Sequence, residues 1–91
     1  MDKIEHAPLE EFHKEVVGDI ASAIGHTLYS ASIKNVSYQE TIKDGTDTIS
    51  TISIDGTNGS HFIAQETNLH EYEFLDWVMH QFLRFLREES L

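Results

Sequence analysis

SASIKNVSYQETIKDGTDTISTISIDGTNGSHFIAQET, residues 30–67, is the stretch on which the fold turns. Roughly a third of it is Ser or Thr, interleaved with Ile, Val and Tyr, which is the side-chain chemistry of a pleated, half-buried sheet. Asp44-Gly45 is its strongest turn signal, because both residue types tolerate the left-handed backbone that a tight hairpin needs. A three-residue loop of Lys43, Asp44 and Gly45 sets Ile42 opposite Thr46, Val36 opposite Ile52 and Tyr38 opposite Ser50. That register collects Val36, Tyr38, Ile42, Ile52 and Ile54 on one face, whereas a two-residue loop would separate Val36 from Ile52. A second turn, Asp55-Gly56-Thr57-Asn58-Gly59, leads into a short third strand containing His61, Phe62, Ile63 and Ala64. The Ser and Thr side chains then clothe the other face.

Helical periodicity flanks this region on both sides. Residues 8–29 carry Pro8 at a first helical position, Glu10 and Glu11 in the first turn, and a stripe of Leu9, Phe12, Val16, Ile20, Ile24 and Leu28. Residues 69–88 follow Asn68 as a cap, with Glu71 three residues on, and present Leu69, Tyr72, Leu75, Met79, Leu83 and Leu86 as a first apolar stripe. The predicted fold is α+β: a three-stranded antiparallel sheet with two helices on one face, in the order α-β-β-β-α. The 91 residues form one small acidic domain.

The second helix is more apolar than one contact requires. Phe74, Val78, Phe82 and Phe85 extend its first stripe by roughly another 120° of the wheel, and Trp77 lies beyond them. Either the first helix wraps around and covers this surplus, or Phe74, Trp77, Val78 and Phe85, with Arg84 at the border, form a protein interface, most simply of a homodimer.

Charge narrows the function classes. Sixteen acids against six bases leave a net charge of −10, spread along the whole chain. Direct binding of nucleic acid is not expected, because the Lys and Arg that neutralise phosphates are scarce. The acids Glu10, Glu11, Glu15 and Asp19 are the candidate surface for docking on a basic partner. The absence of cysteine excludes disulfides, thiolate catalysis and Cys-based zinc sites. No apolar run is long enough to span a membrane and the start does not read as a secretory signal, so a cytoplasmic protein without membrane contact is expected. Of six histidines, only His80 has a partner at ligand spacing, Asp76, and two residues fall short of a four-ligand site; no metal or other cofactor is expected. No catalytic motif is present, and Ser60-His61 neighbours on a strand point to opposite faces, so catalytic residues are expected to be none.

The helix–three strands–helix order resembles that of double-stranded-RNA-binding domains. Those domains carry basic residues at the start of the last helix, where this chain has His70, Glu71 and Glu73, so the likeness is one of topology. Size, charge and element order are also similar to small acidic phage inhibitors, some anti-CRISPR proteins among them, without a shared motif. The expected function is a non-enzymatic protein-binding or inhibitory module that docks an acidic surface on a basic partner. A phage-type, anti-defence inhibitor acting by nucleic-acid mimicry is one form of it. The alternative is a homodimeric structural or adaptor subunit associating through the C-terminal aromatic helix.

Overall fold

The computed structural model describes residues 9–25 and 33–88. Helix α1 runs Glu10–Gly25, strands β1, β2 and β3 run Ile33–Lys43, Asp47–Gly56 and His61–Thr67, and a 3₁₀ turn at Glu71–Glu73 leads into helix α2, Phe74–Glu88. The strands pair antiparallel in the order β1-β2-β3. This is the α-β-β-β-α order of an α+β fold. Pro8 and Leu28, assigned to the first helix from sequence, lie outside the described residues.

The β1–β2 hairpin closes one residue later than the sequence reading placed it. Asp44 and Gly45 both take positive φ, 57° and 76°, and the Thr46 N–H donates to the Lys43 carbonyl at 3.2 Å. Two central left-handed residues make Lys43 the last ladder residue, not the first loop residue. Lys43 pairs with Asp47, Ile42 with Thr48, Tyr38 with Ile52 and Val36 with Ile54, replacing the expected Ile42–Thr46, Tyr38–Ser50 and Val36–Ile52 pairs. The loop still has three residues, so the face assignment is unchanged. Tyr38, Ile52, Ile54 and Phe62 are buried on one side, with Val36 half-buried beside them. On the other side Gln65 Nε2 donates to Thr51 Oγ1 across the strands at 3.1 Å.

Both helices cover the same side of the sheet. α2 presses Phe74, Val78, Phe82 and Phe85 inward, and α1 adds Val17 to the same core. This reverses the expected orientation of α2: of its predicted inner stripe only Leu86 is buried and Leu69 half-buried, while Tyr72, Leu75, Met79 and Leu83 are exposed. The aromatic stripe wins because phenylalanine removes more area from water than leucine or methionine. The sheet also has a place for it. Phe62 meets Phe85 edge-on at 6.3 Å, and a Cβ on Gly56 would stand 3.1 Å from the tip of the Phe85 ring. In α1 the inner face is likewise rotated: Leu9 and Phe12 are exposed, and Glu10, His13 and Val17 are buried.

Asn68 does not cap α2. It takes φ 55°, its N–H donates to the Thr48 carbonyl at 2.7 Å, and its side chain accepts from the Thr48 N–H and donates to Asp47. These bonds bind it to β2, so the helical run begins later, with Glu73 reaching back to the His70 N–H at 3.3 Å.

If the aromatic stripe holds the fold, Phe82→Ala costs about 3–5 kcal/mol of stability, whereas Leu83→Ala stays within about 0.5 kcal/mol. Urea unfolding of the two variants beside wild type measures both; equal losses would refute this orientation of α2.

Candidate functional site

Two features converge where α1 and α2 begin. The first is a buried polar cluster. β1 alternates so that Tyr38 and Glu40 both face the core, and the first turns of α1 place Glu10 and His13 above them. Tyr38 OH donates to Glu40, and the Glu40 N–H donates to Glu10 Oε2 at 2.9 Å. His13 Nδ1 bonds Glu40, while its Nε2 faces both oxygens of Glu71, at 3.0 and 3.1 Å, from the 3₁₀ turn. The imidazole stacks on Phe74 with ring centroids 4.1 Å apart. Among the described residues, every buried side-chain polar atom has a partner.

Burial pulls the His13 pKa down, but its bonds to the Glu71 and Glu40 carboxylates more than reverse that, and the imidazolium is favoured above its ordinary value. Burial raises the Tyr38 pKa well above the usual tyrosine range, and donation to Glu40 adds to the rise. A cavity of about 440 Å³ lies alongside, lined by Leu9, His13, Ser50, Leu69, Glu71 and Phe74 among others. Chemically the cluster is a clamp: the imidazole ties α1 to Glu40 of β1 and to Glu71 at the entrance of α2, and Glu10 adds a third carboxylate on the Glu40 N–H. Among the described residues no group of three or more His, Asp or Glu is arranged to hold a metal ion.

The second feature is the set of exposed apolar side chains on the two helices. α1 packs chiefly on β1 and α2 on β2. Near one end His13 stacks on Phe74; toward the other, Phe85 lies over Gly56. The two helices therefore run in the same direction. Lys14 and Gly18 of α1 look over the outer side of β1, while Trp77 and Glu73 sit with Glu66 of β3. The opposite flanks of the helices consequently face each other. They carry Phe12 and Val16 on α1 and Leu75, Met79 and Leu83 on α2. Phe12, Leu75 and Leu83 are 57%, 55% and 55% exposed.

The candidates read from sequence fall unevenly on this arrangement. Phe74, Val78 and Phe85 are buried in the chain's own core and present no interface, because they form the larger of the two apolar stripes of α2. Trp77 is half-buried against that core. Arg84 is occupied within the chain, donating to Gln81 at 3.2 Å, lying 3.5 Å from Glu88 and covering the Phe62 ring at 5.2 Å. Of the acids, Glu10 is buried and serves the clamp, with Lys14 3.8 Å away. Glu11, Glu15 and Asp19 are exposed at four-residue steps and form one ridge on the outward side of α1. Glu40, Tyr38, His13 and Glu71 were missed. Tyr38 on the core face obliges Glu40, two residues on, to share it, and that spacing was the available signal.

No family model, curated protein or solved structure matches the chain.

Because the folded pKa of His13 is raised, its contribution to stability is fully present below about 6.5, the unfolded value, and is lost as pH climbs through the higher folded value. Wild type should therefore weaken toward urea as pH rises above about 6.5, and His13→Gln should lack that slope. Urea midpoints across this window decide it; identical slopes would remove the imidazolium from the clamp.

Proposed function

We propose that this chain is a non-enzymatic protein-binding module, inhibitory or adaptor in action, which docks its acidic helical side on a basic partner. One observation carries the reading: the ridge of Glu11, Glu15 and Asp19 runs beside the exposed Phe12 on α1, and α2 exposes Leu75, Met79 and Leu83. Charge at the border gives steering and orientation, and apolar area gives residence.

The ridge is not dense enough to imitate nucleic acid by itself. Residues four apart on a helix are separated by about 6 Å along the axis, against about 3.4 Å per phosphate along one DNA strand. A basic protein surface is the better match.

The homodimer alternative is favoured by the exposed Leu75, Met79 and Leu83, and it would use these side chains instead of the aromatic ones. Two chains of net charge −10 repel, so self-association should strengthen with added salt, while docking on a basic partner should weaken. Affinity purification with the tagged protein at about 50 and 500 mM salt is expected to yield a basic protein that is lost at the higher value. The variant Glu11→Gln/Glu15→Gln/Asp19→Asn should lose it at both. Recovery that is indifferent to salt and to these substitutions would overturn the reading, and sedimentation of the purified chain separates the dimer.

A further inference from the structure

We propose that the outer edge of β3, with the cavity between it and α2, receives an extended segment of a basic partner protein as a fourth strand. This rests on the protein-binding reading above and adds to it a second contact of defined form, away from the α1 ridge.

The backbone supplies the site. β3 ends the β1-β2-β3 order, and no fourth strand lies beside it among the described residues. The Gly56 N–H donates to the Ser60 carbonyl and the Asn68 N–H to the Thr48 carbonyl, which makes Phe62, Ala64 and Glu66 the β3 residues bonded to β2. His61, Ile63, Gln65 and Thr67 therefore direct their N–H and C=O groups outward. Such an edge is a template for another strand, and proteins blunt it with lysine, proline or a bulge. β1, the other edge, carries Lys34 and Lys43 and an irregular register between Ile33 and Asn35. β3 has neither Lys nor Pro, and its pairing with β2 runs in unbroken register. The open edge is that of β3.

The cavity beside that edge fixes the sign of the ligand. It measures about 460 Å³ and is lined by Glu66 of β3, Glu73 of the 3₁₀ turn, and Asp76, Trp77 and His80 on one flank of α2. Three carboxylates line it, and no Lys or Arg does. Glu66 and Asp76 have no ion-pair partner among the described residues. A strand added at the usual spacing of about 4.8 Å sets every second side chain on the helical side of the sheet, over this cavity. Lys or Arg at those positions meets the carboxylates beside Trp77, whose ring attracts a cation. The intervening side chains fall on the outer side of the sheet, next to Ile63 and Gln65. A second copy of this chain, paired edge to edge, would bring two sets of the same acids together, so the feature that admits a basic strand rejects self-pairing.

The test uses the whole protein and a labelled peptide of about ten residues that alternates Lys and Thr, followed by fluorescence anisotropy at about 50 mM salt. Two further versions, N-methylated at every Lys or at every Thr, keep the charges and remove the N–H donors along one edge. One of these two should bind at least roughly tenfold more weakly than the parent peptide. Gln65→Pro should abolish binding of the parent peptide while leaving urea stability close to wild type, because the N–H it removes points away from β2. Glu66→Gln/Asp76→Asn should weaken binding by roughly tenfold, and it keeps the test intact should the proline variant prove unstable. In the complex, amide exchange at Ile63, Gln65 and Thr67 should slow. No binding, or equal binding of all three peptides, overturns the added strand. Equal binding that falls in Glu11→Gln/Glu15→Gln/Asp19→Asn leaves docking on the α1 ridge standing alone. Equal binding that neither salt nor any of these variants alters removes the acidic-docking reading as well.

Discussion

The burial of Phe82 and Phe85 against β2 is the constraint from which the remaining geometry follows. Both rings are withdrawn from water in one core with Ile52 and Ile54, and Phe85 needs the missing side chain of Gly56 to lie as low as it does. Each such ring contributes about 1.5–3 kcal/mol by leaving water. Once they are seated, the rotation of α2 about its axis is fixed. Leu75, Met79 and Leu83 must then flank the space shared with α1, and Trp77 must turn toward β3. The surplus of apolar surface on this helix is real; the sheet decides which half of it remains outside.

The acidic end of the core obeys a different rule. Glu10, His13 and Glu40 are buried at the start of α1, where an apolar side chain would have served packing equally well. A buried carboxylate is tolerable only with compensating bonds, and here the imidazole, the Tyr38 hydroxyl and a backbone N–H provide them. Removing one member leaves the others buried with fewer compensating bonds, so such a cluster costs more to break than the assembled set contributes. It also separates two kinds of acid. Glu10 and Glu40 are structural, whereas Glu11, Glu15 and Asp19 face water one helical ridge away.

Strand chemistry, the Asp44-Gly45 turn and the two amphipathic periods made the element order legible in the sequence. They also made the inward side of the sheet legible, because a three-residue loop preserves parity wherever its first residue falls. The register needed the backbone itself: positive φ at both Asp44 and Gly45 moved Lys43 into the ladder. The orientation of α2 was not legible, since its two apolar stripes adjoin and periodicity gives each the same weight. The partners of His13 were hidden for a topological reason. Glu40 and Glu71 lie 27 and 58 positions away, and no local pattern links residues at such separations.

Those separations also order the events of folding. The β1–β2 hairpin closes over three residues, so its entropic cost of closure is small and its pairing can form early. The link from His13 to Glu71 encloses almost two thirds of the chain and joins segments that flank the whole sheet. It can form only after the strands have brought those segments together, so its bonds belong on the native side of the folding barrier. The clamp thereby acts as a latch on the finished molecule, slowing its opening with little influence on how fast it assembles.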